Sequence, residues 1–288
     1  MSIYKFKLKK HNYFFWQNPI IQKSLLTNKK FPEIECGDFI IKLADKKYEL
    51  KKAQSLRYSV FYNEKKAIPT LAKKILALDY DKVDKFADHI IIINKARKDI
   101  KNKIVGTYRL TRGDVCARFG GFYTSSEFNI SNILNLYNHS QILELGRSCV
   151  HKDYRNGSTM SLLWKGIAEY VKVYDIKILL GCASFPGTDI NKFSHELSYL
   201  RENFSLPDDL SVISLDKNNY QVYGKNITNQ NNLRTFAKLP PLIKGYLRVG
   251  GKVSNSYYVD YNFNTIDLCV VVKISSIVKK YKKKFLKE

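Results

Sequence analysis

Residues 142–174 read ILELGRSCVHKDYRNGSTMSLLWKGIAEYVKVY. Ile142 to Val150 fits a strand by its position and its bounding signals. The RNG turn (Arg155, Asn156, Gly157) then opens a helix over Ser158 to Tyr174, with Ser158 as N-cap. Its apolar stripe is Leu162, Leu163, Ile167, Ala168 and Val171. Ile176 to Ala183 reads as the next strand. Strand, helix and strand in this order specify a parallel crossover, and the surrounding segments specify its setting. FIIKL near Phe39, HIIIIN from His89 and IVGTYRLT from Ile104 precede it as strands, with a helical stripe from Lys46 to Asn63 between the first two. Tyr257 to Tyr261 and Ile266 to Ile274 close the chain as two more. Adjacent antiparallel strands with one later crossover mean a mixed α/β sheet flanked by helices.

Alternation in a regular strand puts Leu145, Arg147, Cys149 and His151 on one face and Glu144, Gly146, Ser148 and Val150 on the other. Glu144 and Arg147 would then point apart. A β-bulge near Gly146 would bring them to one site. The turn at Arg155, Asn156, Gly157 and Ser158 presents helix N–H groups and a positive dipole end suited to a phosphate, and Arg155 adds charge.

Composition bounds the partners. The chain has 288 residues and a formal net charge of +23, which attracts nucleic acid, anionic lipid or acidic proteins. Its Lys, Asn and Ile richness also fits an AT-rich genome, which leaves solvated surface as the competing explanation of the charge. No helix-turn-helix, zinc-finger or RNP pattern supports nucleic-acid binding. Five widely spaced cysteines form no CxxC pair, against a disulfide framework or zinc site. No apolar run reaches the roughly 18 residues of a spanning helix, and the N-terminus lacks the features of a cleaved signal. The expectation is a cytoplasmic protein, with peripheral contact to the inner face of the membrane. Residues 1–37 read as a basic, aromatic appendage, 38–275 as the folded domain and 276–288 as a basic tail.

ELGRSCVHKDYRNG, SLLWKGIAEY, LLGCASFPGTD, PPLIKGYLRVGGKV and DYNFNTIDLCVVV, with AQSLRYSVFYNE, FADHIIII and IVGTYRLT followed by GGFYTSSEF earlier, together resemble the ornithine–acyl carrier protein N-acyltransferases, also labelled hemolysin-like proteins. The resemblance runs collinearly over roughly residues 38–275. Ala87 stands where many members have cysteine, and residues 203–238 match poorly, which leaves the amine-acceptor side open. The family's GNAT-type fold, related to the acyl-homoserine-lactone synthases, implies an acyl-thioester arm in a cleft between Ile142–Val150 and Ile178–Ala183. The implied reaction moves a 3-hydroxyacyl chain from acyl carrier protein to the α-amino group of ornithine and gives lyso-ornithine lipid. The donor is the carrier's phosphopantetheine thioester; no further cofactor and no metal is expected. Acyl carrier protein is acidic and suits a basic enzyme.

Within that frame Glu144 is the candidate general base, since the acceptor amine must lose a proton before attack. Arg147 is a fork for the substrate carboxylate or a partner of Glu144. His151 is a candidate proton relay, against a structural role at the strand end. Arg57, Arg109, Asp81 and Asp84 are substrate-binding candidates, with the aspartates, including Asp79, set against ornithine's side-chain amine or a solvated acidic loop. The Cys149–His151 pair suggests a nucleophile, but direct attack by the amine needs none, and buried free thiol is the common fate of cysteine. Glycine or another small amino acid is the alternative acceptor. A basic membrane- or nucleic-acid-binding protein without catalysis is the alternative of a different class.

Overall fold

The strand and helix quoted above form with the boundaries their signals set, Ile142–Val150 and Ser158–Tyr174. The computed structural model describes residues 29–97, 103–216 and 232–277. Lys5 to Trp16 of the basic, aromatic appendage and the KKYKKKFLKE tail lie outside the described residues.

In chain order the strands are β1 (Ile34–Cys36), β2 (Phe39–Leu43), β3 (Asp88–Asn94), β4 (Ile104–Arg112), β5 (Phe128–Asn129), β6 (Ile142–Val150), β7 (Ile178–Pro186), β8 (Ile213–Ser214), β9 (Lys252–Val253), β10 (Tyr258–Asp260) and β11 (Thr265–Lys273). The helices are α1 (Lys47–Tyr58), α2 (Leu71–Leu76), α3 (Gly113–Phe119), α4 (Ser131–Leu136), α5 (Ser158–Tyr174), α6 (Ser194–Phe204), α7 (Asn232–Lys238) and α8 (Pro241–Arg248). The main sheet runs β1-β2-β3-β4-β6-β7-β11-β10, with β9 on β11. Its neighbours pair antiparallel except β6 and β7, which are parallel and joined through α5. This is the mixed sheet flanked by helices that a GNAT-type fold requires. It begins at β1, so residues 34–37 belong to the domain and not to the appendage.

The apolar runs in the strands are explained by helices on both faces. Ile90 and Ile92 pack with Leu163 and Ile167 of α5, whereas Ile91 packs with Ala53 and Leu56 of α1 on the other side. A strand covered on both faces needs no alternation of polarity. α1 does not end as an ordinary helix: Ser59–Glu64 continue it as a π-helical turn, which turns the Tyr62 hydroxyl towards Asp79, 3.0 Å away. Such turns recur at functional sites.

Two features shape the centre. β6 and β7 pair only at Ile142↔Ile178, Leu143↔Leu179 and Glu144↔Leu180, although both strands run on for six more residues. At the parting point a Cβ on Gly181 would stand 2.2 Å from the Leu145 carbonyl oxygen, so only glycine fits there. The second feature is a bulge in β6. Thr107 pairs with Cys149 and Arg109 with Gly146, so two steps along β4 match three along β6. Arg147 absorbs the extra residue in the left-handed region, at φ +50°.

Candidate active site

The bulge inverts the alternation of β6. Leu145 and Val150 share the core on the α5 side, which a regular strand forbids for residues five apart. Glu144 and Arg147 thereby face the same side and meet the same residue. The Tyr123 N–H donates to Glu144 Oε2 at 3.1 Å, and the Arg147 guanidinium lies over the Tyr123 ring at 4.6 Å. The Thr124 N–H donates to Glu144 Oε1 at 2.7 Å. Glu144 is thus a buried carboxylate that clamps the 123–124 loop, and it makes no ion pair with Arg147.

Arg147 belongs to a different network, which gathers candidates scattered over 90 residues of sequence. Arg57 donates from Nε to Asp79 Oδ2 at 2.7 Å, and from Nη1 and Nη2 to the two Asp84 oxygens at 2.8 and 2.9 Å. Arg109 Nη1 donates to both Asp81 oxygens at 2.7 and 2.8 Å and to Asp84 at 3.2 Å. Arg147 reaches Asp79 at 3.3 Å and Asp81 at 3.1 Å. Three guanidinium groups therefore meet three carboxylates. Burial alone would push the Asp79 carboxyl up, but Arg57, Arg147 and Lys73 more than offset it and hold it at about 2. Burial acts the same way on Asp84, which Arg57 and His89 hold well below the usual carboxylate range.

The network has a closed end and an open end. The Arg57 side chain is 0% exposed. It supports the site from beneath, and its expected contact with substrate is corrected on that ground. Asp84 is buried between Arg57 and Arg109. A carboxylate so committed has no charge left for a substrate amine, so its expected role is corrected too. The Arg109 side chain is buried under Asp81 and also serves as support. Only Asp81, 21% exposed, and Arg147, 10% exposed, reach the open side. Arg147 also packs against the Phe263 ring at 4.5 Å.

The remaining expectations separate from this centre. His151 caps the turn Lys152–Tyr154, where its Nδ1 accepts from the Asp153 N–H at 3.4 Å. Burial lowers its pKa. This is the structural role at the strand end, not a relay to Glu144. Cys149 is buried, and burial pushes its thiol up to about 12, so no thiolate nucleophile forms near neutral pH. The helix N-cap is Gly157, not Ser158. Gly157 adopts φ +87°, which favours glycine, while Asn156 Oδ1 accepts from the Ser158 N–H at 3.2 Å and hydroxyl at 2.6 Å. Arg155 stands beside this turn, half-exposed, with Nη2 at 2.7 Å from Glu64 Oε2 and Nε donating to the Val150 carbonyl at 3.0 Å.

With this geometry, similarity to known proteins becomes informative. A model of the acetyltransferase (GNAT) domain matches residues 56–165, the span from α1 into α5 that carries the bulge and the arginine–aspartate network. The chain is 35% identical over 247 residues to an L-ornithine N(alpha)-acyltransferase of Agrobacterium fabrum, covering 85% of this chain and 84% of that protein. The chain belongs to the L-ornithine N(alpha)-acyltransferase family. The family member from Rhizobium meliloti is 36% identical over 241 residues, with 83% and 81% covered. Among solved structures, FeeM, an N-acyl amino acid synthase from uncultured soil microbes, superimposes with a TM-score of 0.49 at 8% identity, covering 84% of this chain and 97% of that one.

The site of this family member also holds residues not singled out as candidates from the sequence, although they lie within the quoted stretches. Tyr123 joins its parts: its backbone holds Glu144, its ring carries Arg147, and its hydroxyl donates to Asp260 Oδ2 at 3.5 Å. Beyond it lie Glu127 and Asp267, both buried. Asp267 interrupts the apolar run of TIDLCVVVK in β11. An acid at a core position of an apolar strand is the signal that marks it.

Proposed function

We propose that the protein transfers a 3-hydroxyacyl chain from the phosphopantetheine thioester of acyl carrier protein to the α-amino group of L-ornithine, giving lyso-ornithine lipid. The observation that supports this most is the bulge in β6. It aims Glu144 and Arg147 into one site beside the point where β6 and β7 part, and relatives of the same family are named for the ornithine reaction.

In this reading the thioester arm lies between the parted strands. The amine nitrogen attacks the thioester carbonyl carbon, the carbon–sulfur bond breaks, and the thiol leaves. The proton lost by the amine passes to Glu144 through a water molecule. Each Glu144 oxygen accepts one backbone N–H and keeps a further lone pair for such a water. The open end of the network supplies Arg147 for the ornithine carboxylate, with Asp81 and the Tyr123 and Phe263 rings fixing its direction. The turn Arg155 to Ser158 takes the phosphate at the helix N-terminus, with Arg155 exchanging Glu64 for the anion.

Partner contacts follow from the surface. A net charge of +23 draws in the acidic carrier. Ile68, Leu71, Ile75 and Leu76 are exposed aliphatic side chains at and around α2, beside Lys65, Lys66 and Lys74. That combination suits the interface of an anionic bilayer, where an amphiphilic product is released on the cytoplasmic side.

The test is incubation of the full chain with 3-hydroxyacyl carrier protein and a panel of amino acids, read by mass spectrometry. Acylated ornithine is the expected product. Acylation of glycine or another amino acid with none on ornithine would replace the acceptor, and no transfer to any acceptor would overturn the reading.

A further inference from the structure

Three carboxylates on the Tyr123 side of the sheet have no part in the chemistry above. Glu127 precedes β5, Asp260 ends β10 and Asp267 lies within β11. One oxygen from each lies within 4.8 Å of the others. All three side chains are buried, and Glu127 Oε2 and Asp267 Oδ1 have no hydrogen-bond partner among the described residues. Buried ionised carboxylates are costly unless a cation or donors meet them. The strongest charges acting on Glu127 are Asp267 and Asp260, which are themselves acidic. Burial, then Asp267, pushes the Glu127 carboxyl up to about 8. Burial likewise lifts Asp267 to about 6. A cation placed among these acids would favour the ionised form of both Glu127 and Asp267.

Its position says which cation. Asp267 is in register with Ser184 on the part of β7 that has left β6. Tyr123 separates the acids from Arg147: its hydroxyl approaches Asp260 at 3.5 Å and its ring carries the guanidinium at 4.6 Å. One aromatic ring thus stands between the Arg147 guanidinium and the three acids. The expected acidic partners of the substrate side chain, Asp81 and Asp84, are taken by arginines. Glu127, Asp260 and Asp267 have no arginine partner among the described residues, and Asp260 Oδ1 accepts only the Asn262 and Phe263 N–H groups, at 2.8 and 2.9 Å.

We propose that Glu127, Asp260 and Asp267 form the pocket that takes the side-chain ammonium of a diamino acid acceptor, and so select ornithine over a neutral amino acid of equal length. The inference rests on the ornithine reading above and names the residues that give it specificity. An ammonium brings three N–H donors and one positive charge to three converging acids, and its charge favours their ionised form.

The test uses the full chain and two isosteric variants, Asp267→Asn and Glu127→Gln, both of which replace an ionisable acid by a neutral amide and keep its volume. Calorimetry compares the binding of ornithine with that of norvaline, which has the same carbon chain without the δ-amine. The expected result is a fall of about tenfold or more in the ornithine-to-norvaline affinity ratio in each variant. An unchanged ratio in both variants overturns the pocket. So does a manganese titration in which the wild-type chain binds the ion and ornithine does not compete for it. A parallel acyl-transfer assay separates this inference from its parent. Transfer to ornithine with an unchanged ratio sinks the pocket alone. Ornithine binding that depends on Asp267, without transfer from any acyl carrier protein, sinks the proposed reaction alone.

Discussion

Replacing Arg57 by methionine keeps most of the side-chain volume and removes three donors, at 2.7, 2.8 and 2.9 Å from Asp79 and Asp84. Both acids would remain buried. Asp79 would keep Arg147 at 3.3 Å, the Tyr62 hydroxyl at 3.0 Å and Lys73 at 3.5 Å. Asp84 would keep Arg109 at 3.2 Å and the Gln54 amide at 3.3 Å. Loss of one partner from a buried ion pair costs about 3–5 kcal/mol, and the surviving contacts place Arg57→Met near the lower bound, about 3 kcal/mol. Urea unfolding at pH 7 should show this as a midpoint lower by about 1 M. The pH dependence provides a second check. Asp79 has its pKa depressed, from 3.8 to about 2. Its contribution, about 2 kcal/mol in the wild-type chain, is complete above pH 4 and lost as pH falls towards 2. The penalty of Arg57→Met should therefore shrink over that window. Arg57→Lys should recover little, because an ammonium cannot reproduce the fork. A loss below about 1 kcal/mol, or a stable variant with only a raised KM for ornithine, would refute the placement of Arg57 as a support.

Three further outcomes follow from the geometry. Glu144→Gln sets an amide NH2 against one of the two loop N–H groups, so we expect a loss of about 1–3 kcal/mol in denaturation together with a fall in kcat; retained turnover would remove the proton-acceptor role. Glu127 has its pKa raised, so the folded chain holds a proton that the unfolded chain releases. Stability should fall as pH rises from about 4.5 to about 8, and Glu127→Gln should flatten that slope in thermal melts across the range. Cys149, with its thiol pushed up to about 12, should resist iodoacetamide in the folded chain at pH 8, and rapid labelling seen by mass spectrometry would contradict its burial.

The parts of this fold that local signals control could be read from the chain. Strand Ile142–Val150 and helix Ser158–Tyr174 are bounded by an RNG turn, a helical stripe and apolar flanks, all within a few residues of where they act. The short helices Leu71–Leu76 and Gly113–Phe119 were not legible, because a stripe of one or two turns gives too little period to detect. In the site, Arg57, Asp81, Asp84, Arg109 and Arg147 stood out individually. That they neutralise one another depends on contacts between residues 25 to 66 positions apart, which only the tertiary fold determines. The partners of Glu144 are backbone N–H groups, present at nearly every residue and therefore invisible in a sequence. Asp260 and Asp267 stand in one quoted stretch, DYNFNTIDLCVVV, but Glu127 lies far from them in sequence, and nothing local showed that the three meet; only the misplaced polarity of Asp267 gave a hint.

The extra residue in β6 makes position parity a local property of that strand. Before Gly146, odd-numbered side chains turn to the core on the α5 side and even-numbered ones to the opposite face; after Arg147 the assignment is reversed. Substitution rules learned on one half of the strand therefore have the opposite sign on the other. Deleting a single residue here would leave the composition nearly intact while exchanging the roles of every side chain from Ser148 to Val150.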